Sequence, residues 1–468
     1  MLIVNILIGL VGLGIVVFVH EAGHLIAAKL TGIEVEAFSI GWGRRLVGFT
    51  YKGTEYRISI FPLGGFCRMK GEDALQRAWQ EGRPEVPREE GSFFAARPWQ
   101  RVVVAFAGPA VNVLFAIVVL AILWGIGFDT RTFDNRIVLS SEYSRVNLEE
   151  NTPNPADQAG LESGDEIIRI DGTEIRTFRD LQEQIARSPQ EELSMVVNRG
   201  GRQLQLTIQP RLNTDTGAGQ IGVHPWVTPQ IASVQEGSPA AQAGLQPGDR
   251  IVAVNGREVP HSIALYQTLQ SVVENDSAAS DGATESVELS YTRDGMSRST
   301  DLRPSRDENG AARLGVAFEA VTVSTPDLNA FQAIGRGAAE TWETFALTVK
   351  SLGLLFRGVD LTQAVAGPLR ITYFVGEVAT QGFEGGIASG FRALFNFLSL
   401  LSVAVFFMNL LPIPILDGGQ IVLYAIEGIF RVRLNPKVVY RYQAVGMFLI
   451  FSLIIFAFFN DILFLVRQ

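Results

Sequence analysis

The sequence predicts a multi-span α-helical membrane protein with four transmembrane helices, a membrane-associated β-hairpin region and two inserted extracytoplasmic α+β domains. Three observations carry that class. Apolar residues gather into four blocks near the ~20 residues that a bilayer crossing requires. Part of the long middle region repeats itself, and residues 35–67 alternate like strands with glycines at the turn points. Composition agrees: of 468 residues 47% are hydrophobic and 19% charged, with a mean hydropathy of +0.21.

The blocks bound the domains. Residues 1–28 form the first span, 29–101 a cytoplasmic, membrane-associated β-rich loop, and 102–124 the second span. After two extracytoplasmic domains at 129–212 and 219–318 come a helical region at 327–390, the third span at 391–419, a cytoplasmic loop at 420–444 and the fourth span at 445–466. The first block has no basic leader and carries His20 and Glu21 deep inside it, so it reads as a retained helix and not as a removable signal. Residues 129–330 hold 17 Lys/Arg and 30 Asp/Glu, whereas the links after the first and third blocks are basic (Lys29, Arg44, Arg45, Arg97 and Arg101; Arg431, Arg433, Lys437 and Arg441). By the positive-inside tendency both links are cytoplasmic, and the termini and acidic middle lie outside. The expected surroundings are a bilayer, with no nucleic acid partner. The single cysteine, Cys67, excludes an internal disulfide.

The middle region is duplicated. ADQAGLESGDEIIRIDG at 156–172 recurs as AAQAGLQPGDRIVAVNG at 240–256. Each copy reads as a short helix stopped at A-G-L, a G-D turn, an alternating strand and a D-G or N-G turn. These segments resemble PDZ domains of the bacterial type, which implies binding of an extended peptide at a sheet edge, with backbone N–H groups receiving its carboxylate. Ile221-Gly222-Val223, just before the second copy, is the expected carboxylate loop; a pure spacer role is the alternative. SAASDGATES at 277–286 reads as a surface loop. Residues 330–357 have the spacing of an amphipathic helix at the outer surface or of a packing helix.

Within the first block stands VVFVHEAGHLIAAKL, residues 16–30. Residues four apart share a helix face, so His20 and His24 can offer two imidazole nitrogens to one ion, with Glu21 beside them. This is the H-E-x-x-H pattern, in which two histidines hold zinc and the glutamate acts as general base. An ionisable residue inside a span costs about 2.5–3.5 kcal/mol on insertion scales. Three on adjacent turns need a purpose, and a metal supplies one; a proton relay or polar packing are the alternatives.

A catalytic zinc needs a third protein ligand and an open position. The extended motif would put histidine at position 30, which is Leu30, and the other histidines, His224 and His261, lie in the duplicated domains. A carboxylate from another span is the stronger candidate. Asp417 is the only acid in or directly after the third block, within NLLPIPILDGG at 409–419, where Pro412 and Pro414 break the helix. Taken alone, D-G-G is an ordinary turn. Topology argues otherwise: His20 lies roughly 27 Å along a helix from an outside N-terminus, at the depth of Asp417.

Together H-E-A-G-H, L-D-G-G and the PDZ-like pair resemble the site-2 protease family of intramembrane zinc metalloproteases, in its bacterial regulator of sigma-E protease branch, over nearly the whole chain. The resemblance implies Zn²⁺ held by His20, His24 and Asp417, Glu21 as catalytic base, and Asn409 with Pro412 and Pro414 in a substrate-holding segment. Asn112, in GPAVN of the second span, would contact substrate or make a structural hydrogen bond. Residues 35–67, with turn points including Gly41 and Gly43, would form a hairpin that takes an unwound substrate as an added strand; an ordinary cytoplasmic meander is the alternative. The implied substrates are single-pass membrane proteins, an anti-sigma factor first trimmed outside by a site-1-type protease and remnant signal peptides, cut at the bacterial inner membrane in an envelope stress response. A receptor or scaffold binding C-termini, and a metal transporter, are the competing classes.

Overall fold

The computed structural model describes residues 2–143, 154–214, 216–276, 286–306, 310–354, 367–384, 386–433 and 435–467. All but Ser286 of the loop expected at 277–286, and residues 355–357 of the expected helix, lie outside these. Two compact units result, one of residues 1–128 and 326–468 and one of residues 129–325.

The first unit is built on helices α1 (Leu2–Leu30), α2 (Asp73–Gln80), α3 (Pro98–Ile126), α4 (Ala330–Leu354), α5 (Pro368–Glu384), α6 (Ile387–Leu410), α7 (Asp417–Phe430) and α8 (Pro436–Arg467), with a hairpin of β1 (Val35–Tyr51) and β2 (Thr54–Met69) after α1. Four segments of α1, α3, α6 and α8 are long and apolar enough to cross a membrane: Val4–Leu30, Pro98–Ile126, Ile387–Leu410 and Pro436–Leu463. Helix α3 starts on Pro98, with the Gln100 side chain accepting from Arg97 N–H at 2.8 Å, and ends on Gly127 at φ +75°.

Small residues set the helix approaches. A Cβ on Gly23 of α1 would lie 2.5 Å from Ala107 O of α3, and one on Gly337 of α4 would lie 2.8 Å from Ile117 O. Backbones therefore meet directly, as at interfaces where apolar surface alone gives no preference between lipid and protein. Helix α4 is thus a packed helix, although Phe331 and Trp342 stay exposed. Helix α5 lies along the first half of α1, with Gly9 on Thr372 O and Gly376 on the backbone of Asn5. Its first turn is capped by the buried Asp461 of α8, which accepts from the N–H groups of Gly367 and Leu369 at 2.8 and 3.0 Å.

The hairpin turns at Lys52-Gly53, both with positive φ, as a tight two-residue connection requires. Residues 37–40 pair on one side with 65–68 and on the other with 55–58, leaving 65–69 as an edge strand. Its far part exposes Trp42 (58%), Leu46 (64%), Phe49 (65%) and Phe61 (62%), an apolar patch of the kind that contacts a membrane or a partner.

The second unit contains two repeats of one topology. Four-stranded antiparallel sheets run 173–174, 166–170, 193–199, 202–208 in the first and 257–258, 250–254, 287–293, 296–302 in the second. The duplicated G-D turn has a structural purpose in each. Asp165 accepts from Glu162 N–H and pairs with Arg199, whose guanidinium also donates to Gly160 O; Asp249 accepts from Gln246 N–H and pairs with Arg293, which donates to Gly244 O. The unit's ends, 129–132 and 321–324, pair as strands, so it can be inserted between two helices at adjoining points.

One boundary is corrected. Ile221 lies in the core of the first repeat, and strand Val223–Pro225 pairs with Ile137–Leu139 of that repeat. Ile221-Gly222-Val223 therefore closes the first repeat and does not open the second. The counterpart in the second repeat is Leu314-Gly315-Val316, whose strand pairs with Ile231–Val234. In each repeat the last strand returns to pair with the first, which the A-G-L-x-x-G-D spacing does not reveal.

Burial would raise the Asp249 carboxyl, but the two Arg293 hydrogen bonds and Gln246 N–H hold it below the usual carboxylate range. Its contribution is complete above the unfolded value of about 3.9 and is lost as pH falls through the lower folded value. Asp249→Ala should remove about 3 kcal/mol from the second repeat, seen as lost amide protection over 250–254 and 287–302 in hydrogen exchange while the first repeat keeps its own.

Candidate metal and active site

Helix α1 presents His20, Glu21 and His24 over one turn, and α7 presents Asp417 as its first residue. His20 Nε2 lies 3.2 Å from Asp417 Oδ2, His24 Nε2 3.5 Å from Asp417 Oδ1, and the two Nε2 atoms are 3.2 Å apart. Among the described residues these three form the group of His, Cys, Asp and Glu side chains close enough to share a metal ion.

The orientation of each ring is fixed from outside. His24 Nδ1 donates to Val104 O of α3 at 2.8 Å, which leaves the Nε2 lone pair facing the centre. The Asn112 carboxamide, also on α3, lies 3.3 Å from His20 Nδ1. With its oxygen turned to that nitrogen it accepts the Nδ1 proton and frees Nε2; with its nitrogen there, Oδ1 is left buried without a partner. Asp417 Oδ2 is buried without a hydrogen-bond partner although His20 Nε2 is near. Lone pairs that face one another with no proton between them repel unless a cation lies among them. Donors each about 2.0–2.1 Å from a tetrahedral zinc sit about 3.3–3.4 Å apart, close to the distance between the two Nε2 atoms and to that of each from its nearer carboxylate oxygen.

A cavity of about 440 Å³ opens on this cluster, lined also by Glu21, Cys67, Glu72, Asn409, Gln420 and Tyr424. Edge strand 65–69 forms one wall. The Cys67 N–H lies near the Glu21 carboxylate, and Gly65 stands so close that a Cβ there would be 3.1 Å from Glu21 Cγ. Glu72 keeps an exposed edge toward the cavity, yet the protein mass around it pushes its carboxyl up to about 7. Burial and the neighbouring Glu21 and Glu72 push the Cys67 thiol well up, so it is a poor nucleophile.

The break between α6 and α7 gives the other expected residues their places. Asn409 lines the cavity, as do Ile415 and Leu416, whereas Pro412 and Pro414 shape the turn behind it. Ile415 adopts φ +81°, and Gly418 and Gly419 sit against the carbonyls of Leu410 and Ile413, where a side chain would collide. Gly41 and Gly43 hold φ near +85° and +89° in β1 and do not line the cavity. The expectation of Asn112 as a substrate contact is corrected: its side chain is 0% exposed and faces His20. Val104 was invisible to motif reading because it acts through its carbonyl. Glu72, Gln420 and Tyr424 were likewise missed, since no spacing rule links them to the histidines.

The sequence pattern of peptidase family M50 matches residues 8–453. The chain belongs to that family. A protein of Treponema pallidum (strain Nichols) whose assigned name is that of a zinc metalloprotease is 40% identical over 463 residues, covering 99% of both chains. The regulator of sigma-E protease RseP of Escherichia coli (strain K12) is 29% identical with 97% of each chain covered, and protease RseP of Yersinia pestis is 30% identical with the same coverage. This M50 peptidase is a zinc metalloprotease with candidate membrane helices, which decides against the receptor, scaffold and transporter alternatives.

A Cβ on Gly108 of α3 would occupy the space of His24 Nε2. Gly108→Ala should displace the ring by about 1 Å and lower kcat/KM about 100-fold, with reduced zinc content by atomic absorption and an unchanged helical circular dichroism spectrum.

Proposed function

We propose that this metalloprotease hydrolyses a peptide bond within or beside the membrane span of a single-pass membrane protein. The observation that carries the proposal is the position of His20 and His24 inside an apolar helix long enough to cross a bilayer, converging on Asp417. In this reading His20, His24 and Asp417 hold zinc and Glu21 is the catalytic base.

Zinc, when bound there, supplies an acidified water and a positive charge opposite the developing oxyanion. Glu21, which lines the cavity beside the cluster, takes the proton of the attacking water and returns it to the leaving amine. Val104 O and Asn112 hold the imidazoles in the tautomer that leaves both Nε2 atoms unprotonated. Strand 65–69 takes the substrate as an added strand, since its free edge borders the cavity and a helical peptide bond is shielded from attack. Asn409 then holds the extended segment from the opposite wall, and the exposed apolar face around Trp42 and Phe49 keeps the hairpin in contact with lipid.

The basic links, acidic middle and even number of spans support termini and repeats outside and the zinc cluster toward the cytoplasm of a bacterial inner membrane. The name of the Escherichia coli relative as a regulator of sigma-E protease supports anti-sigma factor substrates, trimmed first by another protease, with remnant signal peptides as a second class. The two repeats act as PDZ-like modules that gate by size or dock the trimmed end.

Glu21→Gln should retain zinc at parent stoichiometry yet cut a membrane-embedded reporter at least 1,000-fold more slowly, whereas Asp417→Ala should lose the metal. Full zinc occupancy in Asp417→Ala would sink the ligand assignment. Removal of residues 129–318 should allow cleavage of untrimmed substrate, and unchanged selectivity would argue against the gate.

A further inference from the structure

At one end of the site lies a charged pair that the chemistry does not use. Arg101 of α3 is 2% exposed and Glu427 of α7 is 7% exposed, and Arg101 Nη2 lies 2.8 Å from Glu427 Oε1. The guanidinium sits 4.8 Å from the centre of the Tyr424 ring and 5.9 Å from that of Phe94, while Arg88 approaches Glu427 at 3.7 Å. Burying two charges beneath aromatic rings gives up hydration that their attraction barely restores, so such a pair is weak evidence for stability. Its property that apolar contacts lack is direction.

Of the two helices it joins, one orients the imidazoles that α1 carries and the other supplies the carboxylate. Helix α3 carries Val104, one turn from Arg101, and Asn112, which orient His24 and His20; α7 carries Asp417 at its first position. The remaining contacts between α3 and α7 include Val104 and Leu423 in a shared apolar cluster and Gly428 against Pro98. Such surfaces tolerate a slide. A slide of one residue moves a helix by about 1.5 Å along its axis, enough to take Asp417 out of reach of both Nε2 atoms, which stand 3.2 and 3.5 Å from its oxygens.

We propose that Arg101 and Glu427 are positioning residues that set the register of α7 on α3 and thereby hold Asp417 at zinc-binding distance from His20 and His24. The proposal rests on the ligand assignment made above. It predicts that zinc affinity and stability separate. Replacing the pair with apolar residues of similar volume, Arg101→Met with Glu427→Leu, removes the directional bond while sparing the fold the burial of charge. Glu427→Gln keeps an oxygen for Arg101 but leaves its charge uncompensated.

The experiment uses the full-length protein in detergent. Thermal midpoints are taken with chelator present, and zinc dissociation constants come from competition with a chromophoric chelator. The double variant should melt at or above the parent midpoint yet bind zinc at least tenfold more weakly. Glu427→Gln should melt lower yet bind zinc within threefold of the parent. Zinc affinity that follows the melting order across both variants, or a double variant with parent affinity, overturns the proposal. If the double variant does not fold, Glu427→Gln decides alone: affinity falling tenfold with its midpoint overturns it. Asp417→Ala is the control: parent-like affinity there removes the ligand assignment itself, whereas a loss there with none in the double variant removes only the register role.

Discussion

Three ionisable side chains in or beside apolar helices must satisfy one another, and the membrane unit is arranged around that constraint. His20 and His24 come from α1 and Asp417 from α7, nearly 400 positions apart, and each Nε2 lies 3.2–3.5 Å from a carboxylate oxygen. Largely buried among apolar helices, any one of them alone would be costly. Shared around a divalent cation they become a compensated group.

The surrounding geometry follows from bringing that group together. Gly23 and Gly108 let α1 and α3 touch backbone to backbone, which puts Val104 O within reach of His24 and Asn112 beside His20. The break over Leu411–Leu416, with Ile415 in a left-handed conformation and two glycines after Asp417, turns the chain sharply enough to start α7 at the cluster. The hairpin closes the remaining side with a free strand edge at Glu21. A cavity results that Glu21, the three clustered side chains and edge strand 65–69 line together.

Much of this was legible before any fold was known. The i, i+4 histidines and the cost of charge in a span pointed to a metal, and the lone acid after the third apolar block pointed to Asp417. Helix rotation was not legible: Asn112 read equally well as a substrate contact until its side chain was found buried against His20. A backbone carbonyl leaves no residue signature, so Val104 was silent. Helix α5 was not separated from its neighbours: besides Val375, which packs on Val16, its close approach to α1 relies on Gly376 and Gly9, which leave no mark in an apolar pattern. The first repeat was cut short because its last strand, at Val223–Pro225, returns from beyond the duplicated motif to pair with Ile137–Leu139.

The central claim concerns which atoms surround the metal, and zinc K-edge X-ray absorption on the purified full-length protein reads them directly. The account predicts a first shell of nitrogen and oxygen only, at about 2.0–2.2 Å, with outer-shell scattering from two imidazoles. A sulfur scatterer near 2.3 Å, from Cys67 or Met69 of the cavity wall, or a shell of three imidazoles, would contradict it.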